Sequence, residues 1–332
     1  MYSDLFNNPY IQYLYHVYYS KSNSAICDFI YEEIRIPLFD DMSHIVDFNI
    51  SKNLLNKLTA CRIKKIYIIC HSVTGDKYEF ANIAAELLKD PVVGVISYSR
   101  KFRSDNKTIS LSKKYQRVFN ITGCRYLLDE IIGYVNNTFN SKGLKKIVLL
   151  GFSAGTSLIA CYLGCDLMKN KSSVSYSVLV SAGFHYEESM KKMPAFGQML
   201  CFLNLYSYFY KFHVKYKHKD ILNLKSLGLN NVSLLSYIFN LYKYAGFSSK
   251  KEYFSFHDPV NYLPNITHKV YFLNAIDDFC FPETTIMPFI SKYKHTKSNF
   301  YFDVKEYGGH ICFYKSYIRR DTFISDYIKN IK

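Results

Sequence analysis

A serine between two glycines, at the end of an apolar run, constrains this chain more than any other feature. Gly151-Phe152-Ser153-Ala154-Gly155 follows the run IVLL, and apolar residues at helical spacing come after it. A Gly-x-Ser-x-Gly turn between a strand and a helix strains the serine backbone, so close neighbours must lack side chains. The sequence therefore predicts a buried strand, a nucleophile elbow at Ser153, and a helix that begins at Ala154 and directs its N-terminus at the site.

Short apolar runs alternate with helix-like stretches along most of the chain. Continuous runs rich in β-branched residues are typical of parallel strands covered on both faces, and their alternation with helices predicts an α/β fold. Helices are predicted at Ile121–Phe139, by its apolar spacing, and at Tyr317–Ile331. The predicted strands are Ile66–Cys70, Val92–Tyr98, Ile147–Leu150, Ser177–Ser181, Val270–Asn274 and Phe300–Val304.

The 332 residues fit a single α/β core with one insertion. Residues 185–262 separate the fourth and fifth predicted strands, contain no clear strand, and are rich in aromatic and basic residues. We expect them to form a helical cap over the C-terminal edge of the sheet, where ligands bind in open α/β folds. The other predicted divisions are an N-terminal extension packing on the core (1–60) and two parts of the core (61–184 and 263–332).

The net charge of +15 favours anionic partners such as membranes or nucleic acids. Heavy use of Lys, Asn, Ile, Tyr and Phe without any Trp is also typical of AT-rich codon bias, which raises lysine content without selection for a partner. Basic residues are scattered and no recognition motif occurs, so we do not expect nucleic-acid binding. Peripheral contact with an anionic membrane stays open because lysines accompany aromatic residues in the predicted cap: Lys211, Lys215, Lys217 and Lys219.

Nine irregularly spaced cysteines without a Cys-x-x-Cys pair predict neither a disulfide framework nor a zinc site. This cysteine usage is typical of a reducing compartment. The N-terminus lacks the pattern of a signal peptide, and no window holds the ~20 apolar residues that span a bilayer. We therefore expect a cytoplasmic protein that is not secreted, with peripheral contact at a membrane left open.

A nucleophilic serine needs a base and an acid, which follow it along the chain in folds with this elbow. Asp277 and Asp278 come after the fifth predicted strand, and Gly308-Gly309-His310 lies in the loop after the sixth. We predict that His310 is the general base and that an acid holds its tautomer. The spacing to Pro282 favours Asp278 as that acid over Asp277, and we expect the other acid to cap the loop.

An oxyanion hole requires two N–H donors beside the serine. Ala154, directly after the nucleophile, is one predicted donor, and Val73, in the loop that leaves the first predicted strand, is the other. His71 in the same loop is predicted to be structural. An alternative is left open because His71 and Asp76 form a short His-x4-Asp string of the kind seen in some acyltransferases.

Taken together, these motifs resemble the α/β-hydrolase superfamily, and within it the YheT-like branch of abhydrolase-domain proteins. That branch contains esterases, phospholipases, monoacylglycerol lipases and medium-chain fatty-acid ethyl ester synthase/esterases. The resemblance covers about residues 60–315 and implies ester hydrolysis, or acyl transfer to an alcohol, through an acyl-enzyme on Ser153, with no metal or organic cofactor. The matching positions are His71–Gly75, Ser99-Arg100, Gly151–Gly155, Gly246, Phe247, Ser249, Tyr253, Asp277-Asp278, Gly308–His310 and Phe313.

Three positions depart from the pattern of this branch. Ser72 replaces the usual glycine of the oxyanion loop, Lys101 replaces a glycine after Arg100, and Thr156 follows the elbow where glycine is common. Only glycine adopts positive φ freely, so Ser72 leaves open whether the backbone of this loop has the shape typical of the branch. These departures support an alternative function, that of a catalytically weak or inactive hydrolase-fold protein that binds or scaffolds.

Overall fold

The computed structural model describes residues 8–20, 24–38, 44–99, 121–215, 238, 241–242, 245, 247–313 and 320–331. Several residues singled out in the sequence lie outside this part of the chain. They are Arg100, Lys101, Gly246, Lys217 and Lys219, together with the side chains of Lys211 and Lys215.

One sheet of eight strands organises the described residues. The strands are β1 (Tyr31–Leu38), β2 (His44–Ser51), β3 (Lys65–Cys70), β4 (Val93–Tyr98), β5 (Lys146–Phe152), β6 (Val174–Val180), β7 (Lys269–Ala275) and β8 (Phe300–Lys305). Their order across the sheet is β1-β2-β4-β3-β5-β6-β7-β8. β2 pairs antiparallel with β1 and β4, and all other neighbours are parallel.

Helices cover both faces of this sheet. They are α1 (Pro9–Ser20), α2 (Ser24–Ile30), α3 (Lys52–Leu55), α4 (Lys57–Ala60), α5 (Ala81–Leu87), α6 (Arg125–Phe139), α7 (Ala154–Leu163), α8 (Tyr186–Lys192), α9 (Ala195–Lys215), α10 (Lys250–His257), α11 (Glu283–Thr296) and α12 (Arg320–Lys329). Short 3-10 turns are found at Lys171–Ser173, Pro259–Asn261 and Leu263–Asn265.

Burial on both faces explains why the central strands are continuously apolar. Ile66 and Ile68 of β3 belong to the core that includes α6 and α7. Tyr67 and Ile69, which point to the opposite face, belong to a second core with α5 and α12. All six residues of β4 are buried in the same way. The predicted mostly parallel sheet with helices on both faces is confirmed.

All six predicted strands are present, and the differences lie at element ends and in the N-terminal region. The helix predicted from Ile121 begins only at Arg125, because Gly123 has a φ of 101°, which is incompatible with a helix. The fourth predicted strand begins at Val174, three residues before Ser177. The last helix is Arg320–Lys329, and residues 317–319 of its predicted range lie outside the described residues. β1 and β2 were not predicted, and they extend the sheet.

Residues 185–262 lie between β6 and β7. Their described part contains α8, α9 and α10 and no strand. Of the helices in the described ranges, none is long and apolar enough to cross a bilayer. The proposed division of the chain into four segments stays a prediction, although β1 and β2 place part of residues 1–60 in the central sheet itself.

Candidate active site

Ser153 occupies the sharp turn between β5 and α7. Its φ of 51° and ψ of −116° are strained for a residue with a side chain, at a cost of about 1–3 kcal/mol. Ser153 N–H donates to the Val180 carbonyl at 3.0 Å, and the Thr156 hydroxyl donates to the Ser153 carbonyl at 2.5 Å. A Cβ at Gly155 would lie 2.0 Å from the Cys70 carbonyl oxygen. Glycine is therefore required here for α7 to approach the end of β3.

The loop after β8 holds His310 between two residues with positive φ. Gly309 has a φ of 52° and Ile311 a φ of 58°. Asp277 Oδ1 accepts a hydrogen bond from Gly309 N–H at 2.7 Å, and Ser181 Oγ accepts one from Ile311 N–H at 2.9 Å. Side chains from two other loops thus fix the backbone on both sides of the histidine.

Ser153, His310 and Asp278 form a continuous chain of contacts. Ser153 Oγ lies 2.7 Å from His310 Nε2, and Asp278 Oδ2 lies 2.9 Å from His310 Nδ1. The three residues are only 6%, 5% and 1% exposed, so water competes little for these contacts. A carboxylate only accepts hydrogen bonds, which assigns the proton to Nδ1 and leaves Nε2 to accept from the serine hydroxyl.

The two adjacent acids face different groups. Asp278 contacts the imidazole, and its Oδ1 also accepts from Cys280 N–H at 2.8 Å and Phe281 N–H at 3.2 Å. Asp277 instead contacts Gly309, and burial raises the pKa of its carboxyl group against the lowering effect of that hydrogen bond. The geometry agrees with the preference for Asp278 as the acid, while Asp277 holds the loop of the histidine. The catalytic roles themselves stay a prediction.

The two predicted oxyanion donors border the same cavity as the serine and the histidine. Val73 lies three residues after β3, and Ala154 opens α7. Within the described ranges, neither N–H has a hydrogen-bond acceptor. Both are therefore available to a negatively charged oxygen formed above Ser153.

The loop after β3 has an ordinary backbone in spite of its missing glycine. Ser72 is not among the residues with positive φ, so this departure imposes no strain. His71, predicted to be structural, hydrogen-bonds through Nδ1 to the Ser72 carbonyl at 2.8 Å. Asp76 Oδ1 accepts from Tyr78 N–H at 2.9 Å, as in an Asx turn. These contacts favour a structural function for the His71 and Asp76 string.

A buried carboxylate outside the predicted motifs also holds this loop. Glu79 Oε2 accepts from Ser72 N–H at 2.9 Å, and Oε1 accepts from the Ser72 hydroxyl at 2.6 Å. Glu79 Oε1 also lies 3.1 Å from His16 Nε2 of α1. Burial raises the pKa of Glu79, but the hydrogen bond and charge of His16, with His71 and Ser72, outweigh it and lower the pKa to about 2.

A cavity of about 370 Å³ lies over Ser153 and His310. Its walls come from α1, from the cap helices α8 and α9, and from the loops after β3 and β7. Part of the predicted cap thus lines the cavity beside Ser153, while the assignment of residues 185–262 as a cap stays a prediction. The cavity is suited to an apolar group because its lining includes Val17, Ile121, Met190, Met193, Leu205 and Phe281.

Among the residues that the structure describes, one group of side chains has the spacing of metal ligands. Ligand atoms of Asp278, Cys280 and His310 lie within 4.8 Å of one another. Both ring nitrogens of His310 are already engaged, by Ser153 and by Asp278. This arrangement fits proton transfer along the imidazole better than metal ligation by it.

Several residues of the site carry no recognisable sequence signal. Tyr13 and His16 of α1 line the cavity, and the Asn204 side-chain amide donates to the Tyr13 hydroxyl at 2.9 Å and to the Thr74 hydroxyl at 3.0 Å. Glu79 was missed because its partner His16 lies 63 residues away in the sequence. Among these, only Glu79 lies close to a motif, four residues after Gly75.

No profile of a known protein family matches the sequence. The chain is similar to abhydrolase domain-containing protein 2 of Drosophila melanogaster, with 26% identity over 184 residues, or 51% of this chain and 45% of that protein. It is also similar to human monoacylglycerol lipase ABHD2, with 23% identity over 207 residues, or 58% of this chain and 48% of that protein. The chain thus spans about half the length of the curated relatives it matches.

A solved esterase structure from Pyrobaculum calidifontis matches 96% of this chain and 91% of its own, with a TM-score of 0.55 and 12% identity. At this identity, the likeness shows the fold alone. The strand order, the elbow at Ser153 and the similarity to abhydrolase-domain proteins agree with it. The chain has the α/β-hydrolase fold, and its sequence is similar to those of abhydrolase domain-containing proteins.

Proposed function

We propose that this protein is a serine hydrolase that cleaves carboxylic esters through an acyl-enzyme on Ser153. The observation that carries the proposal is the 2.7 Å contact between Ser153 Oγ and His310 Nε2, backed by Asp278 at 2.9 Å. A hydroxyl is a weak nucleophile until a base takes its proton, and this array supplies the base and a carboxylate that stabilises the imidazolium. The names of the human and archaeal proteins, a lipase and an esterase, support the same reaction class.

In the proposed reaction, Ser153 Oγ attacks the ester carbonyl carbon while its proton passes to His310 Nε2. The carbonyl oxygen becomes an oxyanion that accepts hydrogen bonds from Val73 and Ala154 N–H, near the N-terminus of α7. The carbon–oxygen bond to the leaving alcohol then breaks, and His310 returns the proton to that alcohol. Water attacks the acyl-enzyme by the same route and releases the acid, whereas an attacking alcohol yields a new ester.

We propose substrates with a medium or long acyl chain, such as lipid esters. The apolar side chains of the cavity lining support this class, because burying an acyl chain against them removes apolar surface from water. Monoacylglycerols are the first natural esters to test, given the name of the human relative. The assignment to the YheT-like branch is part of this proposal.

A phosphonate probe and an ester panel test the proposed activity. We expect the probe to label the wild type and Ser157→Ala but not Ser153→Ala; Ser157 is a matched control, buried in α7 and bonded to the Tyr186 hydroxyl. Turnover of p-nitrophenyl esters and monoacylglycerols is expected to rise with acyl length. Activity on short esters alone would contradict the lipid substrate, and no labelling with no turnover would favour the alternative, a binding or scaffold protein.

A peripheral membrane contact is supported by exposed apolar side chains on two adjacent helices. α1 and α9 pack together through the contact of Tyr10 with Phe196, whose ring centroids are 5.1 Å apart. We define the apolar rim as the residues that these helices leave 47–74% exposed: Leu14, Tyr18, Phe196, Met199 and Leu203. Because α1 and α9 also line the cavity, we propose that the rim rests on an anionic bilayer, with the charge of +15 adding electrostatic attraction.

Vesicle sedimentation tests this contact. We expect binding to phosphatidylcholine vesicles to rise with added phosphatidylserine, to fall with salt, and to fall further in Leu203→Asp. Leu144→Asp is the matched control, because Leu144 is 80% exposed and precedes the N-terminal end of β5, whereas Ser153 and the cavity follow its C-terminal end. Vesicle binding that does not depend on the phosphatidylserine content would contradict the proposal. A reducing, intracellular location is proposed with it, supported by nine free cysteines.

A further inference from the structure

The loop that carries the Val73 N–H makes its firmest polar contacts with a carboxylate outside it. Ser72 uses both its N–H and its hydroxyl on Glu79, at 2.9 and 2.6 Å. The N–H of Ser72 is thereby engaged by Glu79, whereas the next N–H along the chain, that of Val73, has no acceptor in the described ranges. Hydrogen bonds to an ionised group are among the strongest in proteins, so Glu79 fixes this peptide tightly.

The space for the carboxylate is made by Gly75. A Cβ at this position would lie 1.8 Å from Glu79 Oε2. Glycine at the end of the His71–Gly75 motif therefore admits a buried acid beneath the loop. Ser72 also gains a function, because its hydroxyl supplies a hydrogen bond to Glu79 that a glycine lacks.

The other side of Glu79 is held by the N-terminal helix. His16 of α1 is 2% exposed, and its Nε2 lies 3.1 Å from Glu79 Oε1. The His16 ring stacks on Phe80 at 5.9 Å, and Phe80 stacks on Phe152, the residue before Ser153, at 3.8 Å. These contacts connect α1 to the loop and to the elbow.

We propose that Glu79 and His16 are positioning residues for the oxyanion hole, which makes α1 part of the catalytic apparatus. Glu79 orients the Ser72–Val73 peptide so that Val73 N–H faces the developing oxyanion, and His16 holds Glu79 in place. The inference rests on the proposed ester hydrolysis. It names a function for a segment with no resemblance to the hydrolase motifs.

Turnover of an ester and its thionoester distinguishes positioning from simple loss of stability. Thionoester sulfur accepts hydrogen bonds poorly, so a working oxyanion hole favours the oxygen ester. In Glu79→Ala we expect kcat for p-nitrophenyl butyrate to fall about 100-fold, the effect of a displaced oxyanion donor. KM should change by less than about threefold, and the ester to thionoester ratio of kcat/KM should fall about tenfold.

Two further variants and one control keep the test decisive. Glu79→Gln preserves the side-chain size and serves as the test if the alanine variant fails to fold. It should show smaller decreases in kcat and in the ester to thionoester ratio. His16→Leu should lower kcat, whereas His16→Gln retains an N–H donor and should recover most of it. Asp129→Asn is the control, since Asp129 is a buried carboxylate that accepts from the Tyr162 hydroxyl and Asn170 N–H and does not line the cavity.

The values of kcat and of the ester to thionoester ratio together distinguish positioning from stability. Lower kcat together with a lower ester to thionoester ratio in the Glu79 variants, but an unchanged ratio in Asp129→Asn, supports positioning. Lower kcat with an unchanged ratio assigns Glu79 to stability and overturns the inference, as does wild-type kcat in Glu79→Gln and His16→Leu. Failure of the proposed function would look different, because the wild type itself would not turn over the esters.

Discussion

Replacing Asp278 by asparagine is expected to move the ring proton of His310 from Nδ1 to Nε2. The surrounding N–H groups determine how the new amide is oriented. Oδ1 accepts from Cys280 N–H at 2.8 Å and Phe281 N–H at 3.2 Å and lies 3.1 Å from His310 Nδ1, while Oδ2 lies nearer to Nδ1, at 2.9 Å. The amide oxygen must take the place of Oδ1, since an NH₂ group there would face two donors. The NH₂ group then takes the place of Oδ2 against the imidazole.

The consequence is the wrong histidine tautomer. The amide NH₂, at the position nearer to the ring, donates to His310 Nδ1, and the ring proton moves to Nε2. Nε2 then has no lone pair for the Ser153 proton, although all heavy atoms keep their places. We expect kcat to fall about 10⁴-fold in Asp278→Asn, which corresponds to about 5 kcal/mol of activation free energy.

Steady-state hydrolysis of a p-nitrophenyl ester measures this effect, with thermal unfolding as the check on folding. Asp277→Asn is the matched control, because Asp277 Oδ1 accepts from Gly309 N–H at 2.7 Å and an amide oxygen accepts equally. We expect its kcat to stay within about tenfold of the wild type. A greater loss in Asp277→Asn than in Asp278→Asn, with both folded, would refute the assignment of the acid.

Two further predictions concern stability. Gly155→Ala should lower the free energy of unfolding by about 3 kcal/mol or more. Its Cβ would lie 2.0 Å from the Cys70 carbonyl oxygen, and neither the backbone of α7 nor that of β3 can move away without disturbing the core. Gly143→Ala should lose only about 1 kcal/mol, the cost of its φ of +65° in open space, and equal losses by urea titration would be inconsistent with this packing. The Glu79 carboxyl has its pKa lowered from 4.5 to about 2, so its charged form stabilises the fold above pH 4.5 and this stability is lost as the pH falls through about 2. Urea unfolding should show wild type exceeding Glu79→Gln by about 3 kcal/mol at pH 7 and by progressively less between these two values; a constant difference would contradict the linkage.

Local patterns in the sequence sufficed for the central sheet and the elbow. The apolar runs of β3 to β7 are nearly continuous because both faces of these strands are largely buried, and such runs can be recognised without knowing which strands are neighbours. β1 was missed because Glu32, Glu33 and Arg35 interrupt its apolar residues, as suits a strand at the edge of the sheet. The helix at Arg125 was predicted too early because apolar spacing ignores the positive φ of Gly123.

By itself, the sequence determined the α/β architecture, the strained position of Ser153, and the order in which acid and histidine follow it. These depend on periodicity and on backbone requirements that a few neighbouring residues express. Only the tertiary structure decided that Asp278 rather than Asp277 faces His310, and that α1 reaches the site. His16 meets Glu79 across 63 residues of chain, and no local pattern encodes such a contact. The physical reason is that side-chain partnership depends on where separate elements pack, whereas strand and turn formation depends on the chain nearby.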